Sequence, residues 1–250
     1  MLVAAIPTFA LIVGLPPASI EARTRATQAE RTTVWDGVFT ANQATRGKAV
    51  YESHCSGCHG ADLSGSQEAR PLAGTRFMQD WREDTVDTLF TRIRSLMPFD
   101  DPATLSDAAY LDSVAYILEF NGFPGGGREL AADGLADIRI EAREGPGQVP
   151  SFALVQAVGC LTRRPDDGWM LTRSTEPVRT ANPSASTAGA LTALGAQPLG
   201  ALTFTLMSAY PDPAPHAGHK MEAKGFLIRG PEEDRINLSS LTMVAAECGP

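Results

Sequence analysis

Five consecutive residues, Cys55-Ser56-Gly57-Cys58-His59, constrain this chain more than any other stretch, because two thiols and an imidazole in that order serve no packing purpose. The spacing predicts covalent haem attachment: the two sulfurs form thioethers with the vinyl groups, and the histidine ligates iron from the proximal side. A thioredoxin-like redox pair would want a βαβ setting. A zinc half-site would need two more ligands in the same domain. The histidine directly after Cys58 favours neither.

At 250 residues and 43% hydrophobic, the chain has room for one or two domains, each with its own core. Met1 to about Pro17 is an apolar run of signal-peptide length, too short to span a bilayer comfortably. A secretory signal over residues 1–29, cut near Ala29, is therefore expected. No Lys or Arg precedes the apolar run, and a retained membrane anchor is the alternative. Export agrees with the haem motif, since c-type attachment takes place outside the bacterial cytoplasmic membrane. The expected location is periplasmic or otherwise exported, with membrane contact only if the N-terminal segment is kept. In such an oxidising compartment Cys160 and Cys248 could pair, two separately buried thiols being the alternative. The net charge is -8 and becomes -9 without residues 1–29, so nucleic acid is not an expected partner.

Residues 30–127 read as a helical domain. An amphipathic helix from about Thr40 to His54 places Ala44, Gly47, Val50 and Tyr51 on one face and runs into the haem motif. Gly47 in mid-helix costs about 1 kcal/mol relative to Ala, which points to a close helix crossing. A second helix starts near Thr85, carries Leu89, Phe90, Ile93 and Leu96, and stops at Pro98, leaving Met97 at its end. The third starts at Ser106 as N-cap, carries Tyr110, Val114, Ile117 and Leu118, and ends at Asn121-Gly122.

Over residues 34–124 the chain resembles the class I cytochromes c. Gly47 and Tyr51 are similar to that family's first-helix contact, Tyr110 to Phe120 to its last helix, and Met97-Pro98 to its distal-ligand segment. The nearest likeness is to exported bacterial cytochromes associated with quinoprotein dehydrogenases. The resemblance implies one covalent haem c, iron held by His59 and Met97, the Pro71 carbonyl receiving the proximal imidazole, and Trp81 at the haem edge or on a propionate. For Trp81 ordinary core packing is the alternative. Met78, nearer the motif, competes with Met97, and His54 stands badly placed beside Cys55. Arg70, Arg76 and Arg82 are candidate propionate partners, none of them assignable. Mitochondrial cytochromes c present a lysine ring, whereas residues 30–127 contain only Lys48 and carry 8 positive against 14 negative side chains.

Residues 128–149, flanked by Gly125-Gly126-Gly127 and Gly145-Pro146-Gly147, read as a linker or strapping segment. Beyond them the hydrophobic period changes to two, with strands expected at Phe152–Leu161, Trp169–Arg173, Leu202–Met207, Lys220–Ile228 and Ile236–Ala245. Ser174 to Gln197, rich in Ser, Thr, Ala and Pro, reads as a mobile excursion. The wording of residues 150–250 resembles small exported bacterial β-domains of OB-like type. His216 and His219 have the look of a metal pair, but no third ligand is apparent and a structural role is the simpler account. The expected architecture is two domains: an all-α class I cytochrome c fold, then a small all-β, OB-like barrel.

The expected function is single-electron transfer between a redox donor, such as a quinoprotein dehydrogenase, and a respiratory acceptor, without enzymatic catalysis. Two alternatives remain: a haem sensor or peroxide- or gas-binding enzyme with an open sixth position, and a β-domain binding module with the haem domain as accessory.

Overall fold

The structure, a computed structural model, describes residues 32–249. The expected signal segment lies outside them. Among the described residues no helix is long and apolar enough to cross a membrane.

The haem motif sits at the end of helix α1 (Ala41–His54), whose N-cap Thr40 accepts a hydrogen bond from Gln43 N. Cys55 breaks the helix, and the four-residue turn α2 (Ser56–His59) carries the rest of the motif. Helix α3 (Gly74–Trp81) was not legible as a separate element; α4 (Val86–Leu96) and α5 (Asp107–Phe120) begin at the caps Thr85 and Ser106. Helices α1 and α5 cross at Gly47, where an added Cβ would overlap the Asp112 carbonyl and press on Tyr116 Cβ at 3.0 Å. Around that crossing Tyr51, Phe77, Leu89, Tyr110 and Leu118 form a dry core.

The first domain is not purely helical. Short strands β1 (Thr32–Thr33), β2 (Asp84–Thr85) and β3 (Ile138–Ile140) form a three-stranded sheet in the order β1-β3-β2. Residues 128–149 are accordingly no free tether but a strap. Leu130, Leu135 and Ile140 are buried in the helical core. Gln43 meets both backbone groups of Leu130, accepting from its N–H at 2.8 Å and donating to its carbonyl at 3.0 Å. The Trp35 indole donates to the Glu141 carbonyl at 2.9 Å. Apolar residues separated by charged ones look like linker in sequence; burial of Leu130, Leu135 and Ile140, five residues apart, by a neighbouring core makes them structural.

The second core belongs to a barrel. Strands β4 (Leu154–Arg163), β5 (Trp169–Ser174), β7 (Leu202–Met207), β8 (Lys220–Ile228) and β9 (Asp234–Ala245) close in the cyclic order β4-β5-β7-β9-β8, with β6 (Val178–Arg179) added beside β4. All pairs are antiparallel except β7 with β9. Inward residues include Val155, Ala157, Leu161, Leu171, Phe204, Ala223 and Ile236. Cys160 and Cys248 form a disulfide with Cα atoms 5.6 Å apart, tying the chain's end to β4.

The segment expected as a mobile excursion instead packs on the barrel and contains helix α6 (Ala188–Ala196). It covers the outward side chains of β8. Lys220 Nζ donates to the carbonyls of Gly195 and Gln197, the C-terminal end of α6, at 2.9 and 2.6 Å. Glu222 accepts from Ser186 and Gln156, and Lys224 Nζ donates to Ser184 O. Three buried charged residues are thereby satisfied, as burial requires.

In an ordinary exposed helix Gly→Ala gains up to about 1 kcal/mol. Gly47→Ala is expected to reverse that sign, lowering stability by about 1–3 kcal/mol because the Cβ meets backbone that cannot yield. The urea midpoint of the haem-loaded protein measures it; a neutral or stabilising result would mean the crossing is loose.

Candidate haem site

Helical geometry brings the motif together. Amides of Cys58 and His59 both donate to the Cys55 carbonyl, at 3.2 and 3.0 Å, so one turn presents both sulfurs and the imidazole. Cys58 is exposed and Cys55 half-buried, and both are free thiols, unlike Cys160 and Cys248. Burial, and secondarily Cys58, pushes the Cys55 thiol up to about 11, so it stays protonated at neutral pH. Tyr51, one turn earlier, donates its hydroxyl to Gly60 O at 2.7 Å, and its burial raises that phenol well above its usual range.

His59 is nearly buried, and its Nδ1 lies 2.8 Å from the Arg70 carbonyl oxygen. A carbonyl only accepts, so Nδ1 carries the proton and Nε2 keeps its lone pair for a metal. The receiving carbonyl was expected at Pro71; it belongs to Arg70, one residue earlier. Proline restricts its predecessor to extended backbone, and it is that predecessor's carbonyl which turns toward the ring.

The loop between His59 and Arg70 folds back through bonds Gly65 N to His59 O at 2.8 Å and Leu72 N to Leu63 O at 2.9 Å. Gly65 has φ +76°, and a Cβ there would stand 2.6 Å from Pro71 N and 2.8 Å from the Arg70 carbonyl carbon. No other residue type fits against that peptide. Asn121, at the end of α5, holds the far side: its amide donates to Leu72 O at 2.9 Å and its carbonyl accepts from Gly74 N at 2.9 Å. Neither role is visible in sequence, where Asn121-Gly122 signals only a helix stop.

Met97 is the C-cap of α4 and half-buried. Its backbone is fixed from both sides, by its N–H to Ile93 O at 2.9 Å and by the Tyr110 hydroxyl donating to its carbonyl at 2.7 Å. Leu96 and Phe99 beside it are 47% and 81% exposed. Large apolar surface flanking a thioether, together with two free thiols and an imidazole whose Nε2 is available, fits a flat apolar group carrying iron. Trp81 closes α3, half-buried against the helical core, and Met78 packs there too. His54 is exposed at the end of α1. Arg70 and Arg76 both pair with Asp80. Arg82 lies 3.8 Å from Glu83, and its carbonyl accepts from Arg179 of β6 at 2.7 Å, a contact between helical domain and barrel. Among the described residues no group of three or more His, Cys, Asp or Glu is placed to hold a metal ion.

Replacing Gly65 with Ala must shift the Arg70–Pro71 peptide and slacken its bond to His59. An imidazole robbed of that acceptor is a weaker donor to ferric iron. Gly65→Ala is therefore expected to raise the reduction potential and to destabilise the haem-loaded protein by about 1–3 kcal/mol. Redox titration and chemical unfolding measure the two effects; an unchanged potential would detach Arg70 from the control of His59.

Residues 42–117 match the family model described as cytochrome C oxidase, cbb3-type, subunit III. That span starts inside α1, contains the haem motif and Met97, and ends inside α5. No curated protein matches the chain. A solved structure, the sulfane dehydrogenase SoxCD from Paracoccus pantotrophus, is 19% identical over 51% of this chain and 68% of that one, with a TM-score of 0.32, a likeness too weak to carry an inference. The family match implies haem c with its iron, and motif and match together support a cytochrome c domain at residues 42–117.

Proposed function

We propose that this protein is an exported c-type cytochrome that carries single electrons between a dehydrogenase and a respiratory acceptor, through one covalent haem ligated by His59 and Met97. The observation that carries the proposal is the bond from His59 Nδ1 to Arg70 O, which leaves Nε2 as the ligating atom immediately after a C-x-x-C pair. The haem, when bound, supplies an iron that alternates between ferrous and ferric states.

The chain's own residues do the rest. Cys55 and Cys58 anchor the haem through thioethers, and His59 supplies the proximal nitrogen, its ring orientation set by Arg70. Met97 offers the sixth ligand, and the Tyr110 hydroxyl on its carbonyl keeps the loop in place. A thioether in that position raises the potential and keeps small ligands off the iron. Trp81 packs against the helical core at the end of α3, with a place at the haem edge or on a propionate as the role the family resemblance implies. The expected partners are redox proteins, a quinoprotein dehydrogenase being the donor type the family resemblance implies. Since residues 30–127 carry a net charge of -6 and one lysine, a partner surface with basic groups suits this domain better than one evolved for a lysine ring.

For the barrel we propose an OB-like fold. Five strands in the cyclic order β4-β5-β7-β9-β8, with the single parallel pair β7–β9, support it. Its contact to the haem domain through Arg179, which also lies 3.5 Å from Asp84, suits a role in orienting a partner relative to the haem.

Carbon monoxide tests the sixth ligand. The reduced wild type is expected to show no spectral change with carbon monoxide at neutral pH, whereas Met97→Ala binds it at once and has a lower reduction potential. Immediate binding by the wild type would overturn Met97 ligation and move the sensor or gas-binding enzyme ahead.

A further inference from the structure

We infer that Tyr110 is the positioning residue that keeps the sixth iron position closed, by pinning both ends of the loop behind Met97, a role that rests on the Met97 ligation proposed above. Eight residues, Pro98 to Leu105, join Met97 to Ser106, the N-cap of α5. From Phe99 to Thr104 each residue is exposed, Phe99 at 81%. Six consecutive residues therefore bury almost nothing, and a stretch with few buried apolar contacts opens locally at low cost. The internal bonds, Asp101 N to Pro98 O at 3.1 Å and Thr104 Oγ1 to Asp101 O at 2.8 Å, shape this loop without tying it to a helix. The ion pair of Arg94 with Asp107 spans it at 2.6 Å, yet both side chains are about half exposed, where such pairs contribute little.

A single buried phenol joins both ends of the loop to the core. Tyr110 is 1% exposed and stands in the first turn of α5, its amide donating to Ser106 O at 3.1 Å. Its hydroxyl donates to the Met97 carbonyl at 2.7 Å and accepts a longer bond from Leu105 N at 3.4 Å. The same oxygen thus meets the residue that enters the loop and the residue that leaves it. Leu105 also packs against the helical core, so the far end is held twice. Without the hydroxyl, the Met97 carbonyl and the Leu105 amide lose their common partner, and the end of α4 frays more readily. A ligand that raises the potential binds ferrous iron more tightly than ferric iron. The ferric state is therefore where the protein's own grip on Met97 matters most, and Tyr110 sets how often the thioether lets go.

Imidazole mixed rapidly with the ferric, haem-loaded full chain tests this, because its binding rate levels off at the rate at which the thioether leaves the iron. Tyr110→Phe is expected to raise that limiting rate about tenfold or more. Met97→Ala should abolish the plateau, and Tyr116→Phe, which keeps its ring packed on Tyr51 further along α5, should leave the rate unchanged. Deuterium exchange should accelerate in Tyr110→Phe over residues 97–106 alone. A limiting rate in Tyr110→Phe within twofold of wild type, with Met97→Ala still lacking a plateau, would overturn the role of Tyr110 and leave Met97 ligation standing. A wild type that itself lacks the plateau and matches Met97→Ala would overturn the ligation and this role with it. Faster exchange throughout the helical domain, or a Tyr110→Phe chain that fails to load haem, would assign the phenol to the core in general and overturn it as well.

Discussion

Helices α1 and α5 approach so closely at Gly47 that the backbone of one lies against the backbone of the other, and both ends of the haem site depend on that contact. From the crossing, α1 runs on to deliver Cys55, Cys58 and His59. On the other side α5 supplies Tyr110 near its start and Asn121 past its end, the first holding the carbonyl of Met97 and the second holding the chain at Leu72 and Gly74. One helix thus braces both the segment that offers a sixth ligand and the loop that orients the fifth. A shift of α5 would loosen both together, which is why a glycine that costs helix propensity stands where an alanine would be the better helix former.

Polar groups inside this packing are handled by pairing rather than by exclusion. Arg46 bridges Asp112 on α5 and Glu129 in the strap, and those bonds hold the guanidinium firmly in its charged form. Gln43 closes both backbone groups of Leu130. The strap is therefore fastened to α1, whose Arg46 also holds Asp112 of α5, and its small sheet lies next to the start of α4. On the barrel the same rule applies on a strand. Lys220, Glu222 and Lys224 alternate outward along β8, and the segment bearing α6 meets each with a carbonyl, hydroxyl or amide.

Much of this was legible one residue at a time. Thr85 and Ser106 accept from the amides three residues on, as caps do, and Leu202–Met207 and Lys220–Ile228 form strands at the boundaries their alternation predicts. Helix α6 was hidden because Ala, Gly and Thr between Pro-rich flanks read as low-complexity loop. The strap was hidden because its apolar residues are too sparse for a period, and they become a pattern only against a core supplied by residues distant in the chain. The carbonyl on His59 was misplaced by one residue, since proximity to Pro71 marks the neighbourhood and only backbone direction tells which oxygen faces the ring.

By itself the sequence determined the chemistry available at the centre of the first domain. Two cysteines and a histidine within one helical turn are a local arrangement, and local spacing survives any tertiary context. Helix caps, strand periods and the acidic balance are local or additive in the same way. Only the tertiary structure decided which groups meet across long separations: Arg70 with His59 through a loop that Gly65 allows, Tyr110 with Met97, Asn121 with Leu72, and Cys160 with Cys248. The facing of His216 and His219 nitrogens belongs to the same class, because three residues of separation in an irregular turn leave ring direction free until prolines and the bonds to Leu161 settle it.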